Sequence, residues 1–396
     1  MTDSRQSTLE FAGFLALTAG LGLVQFSIFG AEIFLDLACL IWLTIVVQER
    51  RWPEVPSFFL PLLCLAGWTL ISCAFSIDPI VSFKRSRQLL WFLIVPGTVR
   101  LARGERAMTT LNVIIALGAI GALVGVFEAT VLHYDDLNKR PEGSLGHYMT
   151  YAGIIMLVLG AAVARFVFYA KERLWPAIAI PALAVALGAT FARNAWVGTV
   201  AAISVVLALR QIKLLLLVPV VVVLFFVAAP AHVKDRVYSI VDMHDPTSLD
   251  RRAMLESGVH MVRDHPLFGV GMNMVPTVYP QYKTADAFDP VGATGVQTRS
   301  HLHNVPMQLA AERGVPAALC WLWFVIVALR DLITQVRRGP AKALAAVGVT
   351  AVVGMVVAGM FEHNFGDSEF LILFLGLISL AFAARQGATT DARVAS

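Results

Sequence analysis

Twelve apolar runs recur along this chain, at 11–29, 31–47, 57–75, 88–99, 107–128, 149–168, 174–191, 194–209, 213–230, 305–329, 343–361 and 368–384. About 20 apolar residues in helical form span the hydrocarbon of a bilayer, and inside it each segment must satisfy its own backbone amides. Runs of this length and number define one fold class: an all-α polytopic membrane protein of about 12 transmembrane helices. Composition agrees. Of 396 residues, 58% are hydrophobic and 15% charged, which is more apolar surface than a soluble domain can keep from water. The run at 88–99 is short for a crossing, so its helix is predicted to begin back in 82–87. Cys39, Cys64, Cys73 and Cys320 fall in or at the edges of apolar runs and form no CxxC pair. They read as small core residues, not as disulfides or metal ligands. The polar start MTDSRQSTLE does not look like a cleavable leader, so the first run is expected to stay as a helix. There is no soluble catalytic domain and no nucleic-acid signature.

The net charge of +4 says little; where the cations sit says more. With the N-terminus inside, the predicted inner loops hold Arg50 and Arg51; Arg100, Arg103 and Arg106; Lys171 and Arg173; Arg210 and Lys213; Arg330, Arg337, Arg338 and Lys342; and Arg385. Basic inner loops fix the orientation with both termini cytoplasmic. The chain then divides into nine helices over 1–230, a long outer loop over 231–304, and three helices with a short cytoplasmic tail over 305–396. Several cations break the bias by lying outside: Lys84, Arg85, Arg87, Lys139, Arg140 and Arg193. Each is either an interfacial anchor or the partner of an anion.

The polar loop meets the next apolar run in QTRSHLHNVPMQLAAERGVPA, residues 297–317. Asn304 and Pro306 are helix-start residues, and the run from Val305 to Leu329 is long enough to be one crossing helix. His301 and His303 thus fall at a membrane boundary beside the positive end of a helix, where a phosphate is held and an imidazole is kept neutral. In an extended segment His301 faces away from His303, leaving it to orient its neighbour, to contact an acceptor or to serve structure. Within the long loop, 248–264 reads as a helix with Leu255, Val259 and Val262 as its packed stripe. Arg252 continues the polar row of Glu256, His260 and Arg263, whereas Arg251 lines up with the apolar stripe and needs a partner. His265-Pro266 stops this helix, and Gly269 and Gly271 allow a tight return.

Three pieces in this order carry a family resemblance: the turn Thr190-Phe-Ala-Arg193-Asn-Ala-Trp196, Arg251 followed by HPLFGVG (265–271), and His303-Asn304 with Gly314 after it. With the topology, they resemble the O-antigen ligase and Wzy-type polymerase superfamily. Ala317 stands where the ligase pattern often has Gly, Thr or Tyr. The resemblance implies a GT-C-type glycosyltransferase of lipopolysaccharide biosynthesis in the Gram-negative inner membrane. Its donor would be a glycan on undecaprenyl pyrophosphate and its acceptor the lipid A-core, joined on the periplasmic face. It also implies Arg193, Arg251 and His303 as site residues.

The residue chemistry suits such a reaction. A polyprenyl-pyrophosphate sugar carries its own leaving group, so the enzyme supplies charge stabilisation and a base. Arginine forks bind phosphate oxygens without losing their proton, which assigns Arg193 and Arg251 to the diphosphate, with Lys84, Arg85, Arg87 and Arg140 in support. His303 is the candidate base, with His301 and Asn304 beside it; His363, in a second His-Asn pair, is the alternative. Direct displacement inverts the anomeric carbon, whereas retention calls for a carboxylate pair. Among Asp78, Asp135, Asp136, Glu362 and Asp367 none forms a convincing pair. The Asp135-Asp136 doublet reads as a solvated loop or, less simply, as a cation site; metal independence and no cofactor are expected. Glycan polymerisation and transfer to a protein remain open alternatives. A carrier would repeat its halves and place ionisable groups at the midplane, but no such repeat is found and Asp36 is the main deep acid.

Overall fold

The computed structural model describes residues 2–50, 52–136, 139–240, 242, 246–284 and 301–394. Arg51 and residues 285–300, which include the QTRS that heads the polar junction, lie outside the described residues. The first half of the chain forms α1 (Thr2–Leu23), α2 (Ile28–Glu49), α3 (Phe59–Ala74), α4 (Pro79–Ser86), α5 (Ile94–Leu101), α6 (Glu105–Thr130), α7 (Tyr148–Phe168), α8 (Leu174–Ala189) and α9 (Arg193–Arg210). The second forms α10 (Leu217–Ala228), α11 (Ala231–Tyr238), α12 (Pro246–Asp264), α13 (Val275–Tyr282), α14 (Val305–Arg313), α15 (Val315–Arg338), α16 (Lys342–Gly359) and α17 (Ser368–Val394). No strand occurs among the described residues.

Among the described residues, six helices are long and apolar enough to cross a bilayer: α2, α6, α7, α15, α16 and the first 18 residues of α17. Phe59–Ala74, Leu174–Ala189 and Ile212–Val227 are shorter apolar helices. The chain is therefore a multi-pass membrane protein. The fourth predicted run is not a single helix; it resolves into α4, a 3-10 segment over Arg87–Leu93, and α5. At the centre lie α7 and α16, whose residues from Tyr151 to Ala162 and from Ala343 to Val352 are buried without a break. A helix buried all round has no need of an apolar stripe, which is why these two are uniformly apolar and rich in Ala and Gly.

Two expectations are corrected. The run from Val305 to Leu329 is two helices, α14 and α15, broken at Gly314. Gly314 takes φ +83°, and a Cβ there would overlap the Leu267 carbonyl oxygen, so only glycine fits the corner. Pro316 then starts the second helix without a missing donor. The histidines thus precede a nine-residue helix across the end of the bundle rather than a span. The second correction concerns α12. Its buried face carries Met254, Ser257 and Met261, while Leu255 and Val259 are each 41% exposed. The buried face is the one that meets α14 and the loop core of Met274, Val275, Val278, Tyr279 and Leu302, a partner that periodicity within α12 does not encode.

The segment 265–273 straps these pieces together. Val270 and Gly271 amides donate to the Ala311 and Glu312 carbonyls at 2.8 and 2.9 Å, and Val315 N donates to Pro266 O at 2.8 Å. From α3, Ser72 Oγ donates to Phe268 O at 2.6 Å and Trp68 Nε1 to Arg313 O at 3.0 Å. Phe268 stacks on Phe75 with centroids 4.3 Å apart. At Gly269 (φ +66°) a Cβ would run into the α14 backbone at Glu312 and Arg313. The loop glycines are there so that two backbones can touch.

Candidate active site

Three side chains from two distant segments converge at the end of the bundle. Glu362 follows α16 and is buried; one oxygen lies 2.6 Å from His301 Nε2 and the other 2.9 Å from His303 Nδ1. The His301 and His303 rings stand 4.3 Å apart. An extended segment would have pointed them to opposite sides. Instead His303 takes φ +51°, which turns both imidazoles toward one carboxylate. A left-handed non-glycine backbone persists only where its surroundings hold it, and here they do. Leu302 N donates to Gln308 Oε1 at 2.7 Å, Asn304 Oδ1 caps α14 by accepting from Met307 N at 2.9 Å, and Asn304 Nδ2 donates to Met360 O at 3.0 Å. The His363 amide donates to Glu362 at 3.0 Å and helps aim the carboxylate.

The electrostatics follow from this triangle. Burial pushes the Glu362 carboxyl up, but the charge of His303 and the hydrogen bonds of both imidazoles outweigh it and hold it well below the usual carboxylate range. Burial presses His301 down, yet the Glu362 bond and charge, with Glu312 and Asp367, leave it raised. His363, beside them, goes the other way: burial, then the cationic His301 and Arg313, drive it well below the usual histidine range. Its Nδ1 is buried with no hydrogen-bond partner among the described residues, and its ring lies 6.0 Å from that of His301.

His301, Glu362 and His363 line a cavity of about 250 Å³. Arg85 and the buried Arg313 bring two guanidiniums to the same cavity, and Asn194, Gln308 and Asp367 add polar groups. Glu312, also buried, accepts from Asn273 N at 2.8 Å; burial raises its carboxyl, opposed in part by Arg313. Arg85 and Gln88 also line an adjoining groove of about 390 Å³ whose walls include Leu17, Leu35, Leu93 and Leu101.

The structure brings some predicted residues together and not others. His301 and His303 share one carboxylate, Asn304 caps the helix beside them, and Arg85 reaches the cavity. His303 is outside the cavity lining and keeps 26% of its side chain exposed. Arg193 is buried, and its Nη1 donates to Ser239 O and Oγ at the end of α11, while its chain neighbours Asn194 and Ala195 line the cavity. Arg251 is half-buried on α12 and Arg252 exposed. Lys84 and Arg87 are exposed, Arg87 on the adjoining groove, and the Arg140 guanidinium stacks 4.3 Å over the Tyr148 ring. Sequence reasoning did not single out Glu362, Arg313 or Glu312 for the site. The signal for Glu362 was an acid beside His363 in an outer turn. Glu312 and Arg313 were absorbed into what read as a continuous span, and a charged pair inside an apolar run was the available clue. His301, His303 and Glu362 also place three metal-type ligand atoms within 4.8 Å of one another.

The long apolar helices make this a multi-pass membrane protein, with a histidine–carboxylate cluster beside a cavity lined by Arg85, Arg313, Glu312, Glu362 and Asp367. Residues 178–322 match the O-antigen ligase family model, so over this segment the chain is similar to that family. The matched segment holds Arg193, Arg251, the HPLFGVG strap and His303-Asn304; Glu362 lies beyond it. No curated protein matches the chain.

Proposed function

We propose that the protein is an inverting, metal-independent O-antigen ligase. It would move a glycan from undecaprenyl pyrophosphate to a hydroxyl of the lipid A-core on the periplasmic face of the inner membrane, within a bundle of about twelve GT-C-type helices. The observation that carries this reading is the bond between Glu362 and His303 Nδ1 at 2.9 Å. If Nδ1 bears the proton and donates it to the carboxylate, Nε2 presents a lone pair, and it makes no hydrogen bond to any described residue. That lone pair accepts the proton of the acceptor hydroxyl as the oxygen attacks the anomeric carbon, and Glu362 stabilises the imidazolium that forms. The diphosphate departs toward guanidiniums: Arg85 and Arg313 on the cavity wall, and Arg193 and Arg251 by the family resemblance. The apolar groove that shares Arg85 with the cavity suits the prenyl chain. In this reading His301 faces the donor and His303 the acceptor, one on each oxygen of the same carboxylate.

The test is reconstitution of purified protein with lipid-linked glycan and lipid A-core, followed by gel analysis. A laddered product on lipid A-core is expected. Product lengthened only on the prenyl carrier would make the protein a polymerase, and glycan on a supplied protein acceptor would make it an oligosaccharyltransferase.

A further inference from the structure

We infer that His301, His303 and Glu362 form a binding site for a zinc-type divalent transition-metal ion, and that filling it disables the base. The second half rests on the base assignment proposed above; the first does not. Two imidazoles and a carboxylate are a ligand set that zinc accepts with a fourth position left for water. Imidazole nitrogens favour zinc, cobalt or nickel over magnesium and calcium, which seek oxygen. The three ligand atoms already lie within 4.8 Å of one another, with nitrogen–oxygen separations of 2.6 and 2.9 Å at the carboxylate. Tetrahedral bonds of about 2.0–2.1 Å set the ligand atoms roughly 3.3 Å apart. Each imidazole nitrogen therefore has to draw back from the oxygen it meets by less than about 1 Å, and the two nitrogens have to close on each other by no more than about 1.5 Å. The backbone that carries the two histidines is fixed by Gln308 and by the Asn304 bond to Met360. Their side chains are 25% and 26% exposed, so an ion in the surrounding water has access.

Ion and base compete through one tautomer. In the metal-free site the His303 proton sits on Nδ1, against Glu362, and Nε2 has the lone pair. An ion takes the Nδ1 lone pair, so the proton moves to Nε2 and the position that should receive the acceptor's proton is filled. The ring keeps its single proton and neutral charge; only the nitrogen that bears it changes.

The experiment uses the full-length protein in detergent, stripped with a chelator, then titrated with Zn²⁺ by calorimetry and with Co²⁺ by visible absorption. One ion per chain is expected, with the cobalt spectrum of a site having nitrogen ligands and no competition from Mg²⁺. Glu362→Gln and His301→Asn, two variants with independent risks to folding, should each weaken binding by about tenfold or more, since each removes one of three ligands. Absence of saturable binding, or binding unchanged in both variants, overturns the site. Glycan transfer by the wild type at saturating Zn²⁺ should fall by more than about tenfold and return with chelator. An ion bound at these residues with turnover unchanged overturns the switch. Metal-free His303→Gln reports on the base separately, so the two failures are told apart.

Discussion

Glu362→Gln is the substitution that most directly probes how the site works. The amide keeps the volume of the carboxylate and one of its two acceptor oxygens, and turns the other into a donor. Glu362 now meets an imidazole nitrogen on each oxygen, at 2.6 and 2.9 Å. The glutamine side chain would satisfy one of these; at the other an N–H would face an N–H unless that ring changed tautomer. A change at His303 moves its proton to Nε2 and removes the lone pair proposed for the acceptor. A hydrogen bond to a charged group contributes about 1.5–3 kcal/mol, and about 1.36 kcal/mol is a factor of ten in rate. One such bond lost in the transition state therefore lowers kcat by roughly 10- to 200-fold, overlapping the range of about 10²–10⁴ for general base catalysis. Because the donor's diphosphate is assigned to arginines, KM for the lipid-linked glycan should stay near the wild-type value. The assay is initial-rate transfer to lipid A-core by the purified variant, with size-exclusion profiles to show that it is folded. A kcat within about threefold of wild type, or an effect confined to KM, would refute the positioning role of Glu362.

Arg85→Ala removes an exposed guanidinium from the cavity rim; it should raise donor KM by about 3- to 10-fold, in keeping with one partly solvated phosphate contact, and leave the melting temperature unchanged. Gly314→Ala forces a side chain into φ +83° and against the Leu267 carbonyl, and should destabilise by about 1–3 kcal/mol or more; an unaltered thermal midpoint in detergent would show that the corner is not strained. Stability should fall on both sides of the ordinary histidine value of about 6.5. His301 is raised when folded, so its contribution is full below that value and is lost as pH rises through its folded pKa. His363 is depressed, so its contribution is present above that value and is lost as pH falls toward its own. Thermal midpoints across about pH 5–9 should show His301→Asn flattening the alkaline limb and, by removing a cation beside His363, only partly relaxing the acid limb; an unchanged alkaline limb would refute the assignment.

The membrane character was legible because each long run states its own requirement, and Asn304 announced the helix it caps. The break at Gly314 was not, because the reason for it is a carbonyl 47 residues earlier, at Leu267. Local pattern alone continues the run from Val305 through Leu329. The buried face of α12 was missed for a related reason: Leu255 and Val259 make a better stripe than Ser257 and Met261, and only the position of α14 decides between them. At the site, His303 was readable from its motif, but Glu362 stands 59 residues further on. Nothing along the chain says that one backbone in the left-handed region will turn two alternating histidines to the same side. Arg85 was found through the charge bias of its loop; Arg313 was hidden because it was counted as part of a crossing helix.

The tethers from α3 have a consequence for where this protein works well. Trp68 and Ser72 sit in an apolar helix of only 16 residues and hold the carbonyls of Arg313 and Phe268. A helix of that length, about 24 Å, is shorter than the hydrocarbon core, so the bilayer thins around it or its flanking residues are drawn inward. Any axial pull on α3 in a thicker bilayer is passed through those two hydrogen bonds to the strap and to the short helix behind the histidines. The lipid composition of the host membrane thus becomes one of the settings of the geometry of the candidate site.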